Sequence, residues 1–259
     1  MKYKTKLLAD RFTGELSRWQ GVVCISLNEA ALPDTLDPYF ALILDVYYGE
    51  SIPDAEERCR LYGGDITAFE TSNQSNKDRF LIGNLPVRIE YKSIRQIDEL
   101  VSLADTKLDS LWLIKDSGTY VYYRLANGEI LFNRDDWILE IRRRLFNLGD
   151  DFWRQTRAAH QSKMEHFLSD LGAALIQGDD FYYLISSSGF SKTSCLTLFS
   201  INRRFEPSHR GYYKQVMELP VLPESFPAQF ETFLREDPGM TRERRYSLAQ
   251  LIARGIIAL

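Results

Sequence analysis

The chain has 259 residues, of which 44% are hydrophobic and 26% are charged, and its formal net charge is −4. This balance is typical of a globular protein with a sizeable core, arranged as one large domain or two small ones. The acidic excess disfavours a protein that binds duplex nucleic acid, because such proteins are normally basic.

The first third of the chain alternates helical and strand patterns. Apolar residues at helical spacing predict a helix over 4–20 that ends before Gly21, and the run VVCISL predicts a buried strand over 22–27. A second apolar strand is predicted over 40–48, and a helix that starts after a proline over 52–64. This alternation of predicted helices and strands indicates a sheet packed with helices.

Residues 77–93 predict a β-hairpin, because apolar and polar residues alternate on both sides of Gly83-Asn84. A helix is expected over 93–104. The stretch 118–133 fits two structures: a hairpin about Asn127-Gly128, or a helix through 109–126 followed by a strand.

From residue 136 onward the apolar spacing is helical throughout, and it includes a largely buried helix over 181–205. The predicted fold class is therefore α+β. A mixed sheet domain is expected over 1–135, followed by an all-α helical bundle over 136–259.

Cysteine usage and hydropathy suggest where such a chain works. Cys24, Cys59 and Cys195 are far apart and form no C-x-x-C pair, so neither a disulfide framework nor a zinc site is indicated. No apolar run approaches the ~18 residues of a membrane span. We therefore expect a soluble cytoplasmic protein without a membrane partner; the sequence does not indicate its oligomeric state.

Three stretches together resemble the nucleotidyltransferase superfamily, of the two-domain bacterial kind with a helical C-terminal bundle, to which the aminoglycoside nucleotidyltransferases broadly belong. They are VVCISLNEAALPDTLDPYFALILDVYY (22–48), DRFLIGNLPVRIEYKS (78–93) and LFSINRRFEPSHRGYYKQVMELPVLPESF (198–226). Their order along nearly the whole chain carries the resemblance.

The resemblance implies a Gly-Ser loop, an Asp-x-Asp pair on the second strand and a third carboxylate on a later strand. In that family the carboxylates hold two Mg²⁺ ions about 4 Å apart, which clamp the triphosphate. Here the Gly-Ser position falls on Asn28-Glu29, and the Asp pair falls on Ala41 and Ile43. The chain is thus similar to a member that is degenerate at its metal-binding pair.

Two acidic residues could belong to what remains of such a site. Asp45 lies one alternation beyond Ile43, and Glu90 falls near the third carboxylate. Each also has a plainer interpretation. Asp45 could be a solvated acid at a strand end, and Glu90 could be an exposed strand residue beside Arg88 or Lys92. No metal site is predicted, and Mg²⁺ is implied as a cofactor only if Asp45 and Glu90 form a rearranged one.

A cleft between the two domains is the expected ligand site. We predict that Asn28 and Glu29 line it from the sheet domain, and that Asn202, Arg203 and Lys214 line it from the bundle. Its ligand would be a small molecule or nucleotide.

Three functions remain open at this point. The first is a degenerate nucleotidyltransferase-like protein that binds a ligand or partner. The second is an active transferase that moves a nucleotidyl group from a nucleoside triphosphate to a hydroxyl of a small molecule or protein. The third is a purely structural or oligomerising protein.

Overall fold

The computed structural model describes residues 3–30, 42–72, 74, 76–108 and 119–259. The chain divides into two compact units. The first, here called the sheet unit, comprises 1–115 and 121–147, and the second, the helical unit, comprises 116–120 and 148–259. The expected boundary at residue 135 falls before a helix that clusters with the sheet unit. No helix in the described ranges is long and apolar enough to cross a bilayer.

In its described ranges the sheet unit contains six strands in a single mixed sheet, in the order β3-β4-β5-β2-β1-β6. The pair β2–β5 is parallel and the other pairs are antiparallel. The elements are α1 (Tyr3–Leu16), β1 (Val22–Ala30), β2 (Leu42–Tyr48), α2 (Ala55–Leu61), β3 (Ile66–Thr71), β4 (Lys77–Ile82), β5 (Leu85–Ser93), α3 (Ile94–Asp105), α4 (Tyr120–Asn127), β6 (Glu129–Asn133) and α5 (Trp137–Phe146).

One face of this sheet carries a hydrophobic core against α1 and α2. Successive strand residues point to opposite faces, so alternate residues of the central strands enter this core. Phe12 of α1 packs edge-on against Phe80, with ring centroids 5.4 Å apart. The buried strand residues of this face include Ile25, Leu27, Leu42, Leu44, Val46, Val87 and Ile89.

A buried ion pair fixes α2 to this face. Arg58 donates through Nε and Nη2 to the two carboxylate oxygens of Asp78, at 2.7 and 2.9 Å. The hydroxyls of Tyr62 and Tyr91 also donate to Asp78 Oδ2, at 2.6 and 3.1 Å. Asp78 is fully buried, and these donors satisfy a carboxylate that would otherwise be costly to bury.

The helical unit is built from α6 (Asp150–Gln177), α7 (Asp180–Ile201), α8 (Tyr212–Met217), α9 (Phe226–Leu234) and α10 (Arg242–Ile257). Helix α6 ends at Gly178, whose φ of 68° is a left-handed conformation that glycine adopts without strain. The short connection that follows brings α7 back along α6. The core between these helices includes Met164, Leu171, Phe190, Leu198, Phe199, Val216, Phe226, Phe230, Ala249, Ile252 and Ile256.

The predicted fold class, a mixed sheet followed by helices, is confirmed. The hairpin over 77–93 is also confirmed as β4 and β5. For 118–133 the structure shows the second alternative in its described part, since α4 ends at Asn127 and β6 begins at Glu129. Strand β3, which the sequence analysis did not predict, lies at the edge of the sheet.

Candidate functional site

Asp45 and Glu90 lie side by side on the face of the sheet opposite the α1–α2 core. They are register partners on the parallel strands β2 and β5. Ser26 of β1 is the register partner of Asp45 on its other side. Residues that pair across neighbouring strands share a face, so strand pairing alone brings these three side chains together.

Asp45 is fully buried and is surrounded by donors. Its Oδ1 accepts from Nη2 of Arg124 at 2.5 Å. Its Oδ2 accepts from Nδ2 of Asn28 at 2.6 Å and from the hydroxyl of Tyr47 at 3.3 Å, and it lies 2.8 Å from Nζ of Lys92. The interpretation of Asp45 as a solvated strand-end acid is therefore wrong.

Glu90 belongs to the same network and is also buried. Nη1 of Arg124 donates to its Oε2 at 2.9 Å, and Arg88 donates to its Oε1. The Nζ atoms of Lys92 and Lys77 lie 3.6 and 3.9 Å from its carboxylate. Burial opposes ionisation of Glu90, but Arg124, Lys92, Arg88 and Lys77 outweigh it and lower the pKa to about 2. Glu90 is therefore a carboxylate at neutral pH and not an exposed strand residue.

Arg124 bridges the two acids with the two arms of one guanidinium group. It lies on α4, close to the C-terminus of that helix. Gly128 follows, and its N–H donates to the carbonyl of Arg124 at 2.9 Å. A Cβ at residue 128 would lie 2.9 Å from Asn28 Oδ1 and 3.1 Å from Ser26 Oγ. The absence of a side chain at Gly128 thus lets the end of α4 approach β1 closely enough for Arg124 to reach the carboxylates.

Lys92 and Tyr47 complete the inner surface of this site. Burial lowers the pKa of Lys92, and Asp45 acts against that lowering. Burial, followed by the charge of Asp45, raises the pKa of Tyr47 well above its usual range. Tyr47 is therefore a neutral phenol that donates to Asp45, and it packs against Trp137 of α5 with ring centroids 5.3 Å apart.

The side chains around Asp45 and Glu90 do not fit a divalent metal ion. Both oxygens of Asp45 already accept hydrogen bonds from Arg124, Asn28 and Tyr47, and the cations Arg124 and Lys92 stand where a metal would have to approach. Mg²⁺ prefers several oxygen ligands in octahedral geometry. Within the described ranges, no three His, Cys, Asp or Glu side chains are placed to hold a metal.

Of the two positions that the resemblance aligns with an Asp pair, Ile43 lies in the described residues and adds no polar group to this network. Ile43 is buried, with 4% of its surface exposed, and it offers no ligand atom. Ala41 and the side chain of Glu29 lie outside the described residues. Asn28, which the resemblance aligns with the Gly-Ser loop, donates to Asp45 and to Ser26 Oγ.

The other three predicted cleft residues belong to the helical unit. The side-chain amide of Asn202 donates to the carbonyl oxygen of Val221 and accepts from the Val221 N–H, both at 2.8 Å. Arg203 pairs with Asp150 at 2.8 Å, and Lys214 lies 3.9 Å from Glu218. The structure brings Asn28, Asp45 and Glu90 together within the sheet unit. The cleft that would join both sets stays a prediction.

Sequence reasoning missed Arg124 and underestimated Lys92. Arg124 is 79 residues from Asp45 along the chain, so no local pattern could associate them. Lys92 was noticed only as a neighbour of Glu90. Its alternation with Glu90 and Arg88 was the available signal, because residues two apart on a strand share a face.

Comparison with known proteins supports the fold alone. No protein-family model matches the chain, and no curated protein matches it. Among solved structures, the chain is similar to a nucleotidyltransferase-like protein from Exiguobacterium sibiricum 255-15, with a TM-score of 0.50 and 14% identity. The match covers 98% of this chain and 74% of the other. At this identity, the chain has a fold like that of a nucleotidyltransferase-like protein, and its activity needs a separate argument.

Proposed function

We propose that this chain is a non-catalytic nucleotidyltransferase-like protein that binds a ligand or partner. The observation that carries the proposal is the position of Arg124. Its guanidinium group spans Asp45 at 2.5 Å and Glu90 at 2.9 Å, the two acids that a rearranged metal site would have to use. The three cysteines form no disulfide, which suits a protein of the reducing cytoplasm.

The argument against transfer chemistry is electrostatic. Nucleotidyl transfer of the two-metal kind needs divalent ions to neutralise the triphosphate and align the attacking hydroxyl. To enter this site, a Mg²⁺ ion would have to separate a buried Arg–carboxylate pair and lie beside Lys92. Like charges at a few ångströms repel strongly in such a partly dry environment.

Pyrophosphate release is the assay that tests this proposal. Wild-type protein is incubated with Mg²⁺ or Mn²⁺, each nucleoside triphosphate and a panel of hydroxylated acceptors. We expect no release above a protein-free control. Release that depends on metal and disappears in Asp45→Asn, but not in the surface variant Asp151→Asn, would overturn the proposal. Asp151 is a suitable control because it lies in an exposed pair with Arg154.

One observation favours an active transferase as the second candidate. Asp45 and Glu90 stand directly opposite each other on neighbouring strands, so a movement of Arg124 would expose two adjacent carboxylates. In that case Arg124 would act as an occupant that substrate displaces, and Mg²⁺ would be the cofactor. Turnover lost in both Asp45→Asn and Glu90→Gln would support this candidate, whereas its absence supports the first.

A further inference from the structure

The N-terminal half of α7 exposes apolar side chains to solvent. Phe181, Leu184 and Ile185 are 72%, 66% and 47% exposed. Residues three and four apart lie on one side of a helix, so these three side chains form a single patch, which we call the apolar face of α7. By contrast, every residue from 193 to 200 of the same helix is buried. The helical unit therefore encloses the C-terminal half of α7 and leaves one side of its N-terminal half open.

The size of this patch sets it apart from ordinary surface apolar residues. Single exposed apolar side chains are normal and need no explanation. One aromatic and two aliphatic side chains exposed to this degree present on the order of 400 Å² of contiguous apolar surface, which is the size that marks interaction sites on monomers. The apolar face of α7 is therefore a candidate for a protein contact.

The same side of α7 continues with a small residue and a charged one. Ser188 lies one turn beyond Leu184, and Lys192 lies one turn beyond Ser188, whereas Asp180 precedes Phe181 at the start of the helix. The side chain of Asp180 is 75% exposed and that of Lys192 is 43% exposed. This side of the helix thus runs from an acid, through bulky apolar groups and a serine, to a lysine.

A second α7 in antiparallel orientation presents the complement of this order. When the two-fold axis lies at the level of residue 186, Asp180 faces Lys192 of the second copy, because each is six residues from that level. Leu184 faces Ser188 of the second copy for the same reason, so a bulky side chain meets a small one. The dipoles of the two helices also oppose each other. The surface is therefore complementary to itself, which a two-fold contact requires.

The charged residues at the two ends orient this contact more than they strengthen it. Asp180 pairs with Arg242 of its own chain, and Lys192 lies 3.7 Å from Glu206. Because Asp180 and Lys192 stay substantially exposed in these pairs, a contact with the second copy would add to the pairs without replacing them. Exposed ion pairs contribute little affinity, but they disfavour the wrong orientation.

From this arrangement we infer that two copies of this chain associate through the apolar face of α7 as an antiparallel two-fold dimer. A lipid surface is a poorer occupant, because Asp179 and Asp180 precede the patch and anionic headgroups repel carboxylates. Two copies would bury on the order of 1,000 Å², the lower end for a specific interface, so we expect a Kd of about 10 μM. The inference is independent of the proposed function, since it involves neither Asp45 nor Glu90.

Sedimentation velocity over protein concentrations of about 1–200 μM tests this inference. Wild-type protein is compared with Leu184→Asp and with a matched control, Leu251→Asp. Leu251 is 47% exposed on α10 of the same unit, nine residues beyond Arg242, or about 13 Å along that helix. We expect the wild type to dimerise, Leu184→Asp to weaken the dimer at least tenfold, and Leu251→Asp to weaken it less than twofold.

Four results would overturn the inference: a wild type that stays monomeric throughout this range, equal weakening in both variants, an unaltered dimer in Leu184→Asp, and binding of the monomer to vesicles of phosphatidylcholine and phosphatidylserine that Leu184→Asp abolishes. The last result would assign the patch to a lipid surface. Thermal unfolding by circular dichroism shows whether each variant is folded. Phe181→Ser, at the most exposed position of the patch, replaces Leu184→Asp if that variant is not.

Discussion

Replacing Arg124 by glutamine should destabilise the sheet unit substantially. The substitution keeps a polar side chain but leaves Asp45 and Glu90 buried without the cation that bridges them. Removing one partner of a buried ion pair costs about 3–5 kcal/mol, because the remaining charge is left uncompensated. Lys92 still lies 2.8 Å from Asp45, so we expect the lower end of that range.

The pKa of Glu90 gives a second measure of the same interaction. Its lowering from 4.5 to about 2 corresponds to about 3 kcal/mol, at ~1.4 kcal/mol for each pKa unit. Burial acts against this lowering and four cations produce it, with Arg124 the largest among them. Since the pKa is lower in the folded protein, this stability is complete above about pH 4.5 and is lost as the pH falls toward 2. The loss should be smaller in Arg124→Gln.

Urea unfolding followed by tryptophan fluorescence measures both effects. Trp137 reports on the sheet unit because it packs against Tyr47 beside the site. The control is Arg143→Gln, whose exposed and solvent-screened pair with Glu140 should leave the free energy of unfolding nearly unchanged. If Arg124→Gln is as stable as this control, the network does not hold the sheet unit together and the reasoning fails.

Three further predictions concern other parts of the chain. Asp78→Asn should destabilise the sheet unit by about 3 kcal/mol in the same urea assay, because Arg58 would lose its buried partner; a loss below 1 kcal/mol would contradict this. Gly128→Ala should cost about 1–3 kcal/mol by thermal unfolding, because its Cβ would lie 2.9 Å from both the Arg124 carbonyl and Asn28 Oδ1; an unchanged melting temperature would refute the close approach. Burial, with Lys163 and Lys192, lowers the pKa of His160 to about 4, so its stabilisation is complete above pH 6.5 and is lost as the pH falls toward 4. An NMR titration of the imidazole should show that midpoint, and a midpoint near 6.5 would be inconsistent with it.

Local patterns were sufficient for most of the secondary structure. The alternation about Gly83-Asn84 identified the hairpin because one face of β5 is buried and the other is polar. The sequence pattern did not predict β3, because its side chains do not alternate between buried and exposed. Thr67, Ala68 and Glu70 are all exposed, and Ala68 has a positive φ of 52°. An edge strand of this kind carries little sequence signal.

The candidate site could be predicted only in part. Asp45 and Glu90 were identified as a pair, and strand pairing places them together. Their partners depend on tertiary structure. Arg124 reaches them from a helix that follows β5 in the chain, and Gly128 permits the approach. The resemblance could suggest that Ala41 and Ile43 stand at metal-ligand positions, but no local pattern places a guanidinium group between Asp45 and Glu90.

The most direct test of the central claim is a Mn²⁺ titration of the wild-type protein followed by electron paramagnetic resonance. Because Arg124 and Lys92 compensate Asp45 and Glu90, the account predicts no Mn²⁺ site with a Kd better than about millimolar, which is only ~4 kcal/mol of binding. Stoichiometric Mn²⁺ binding at micromolar concentration, abolished by Asp45→Asn and by Glu90→Gln, would contradict it.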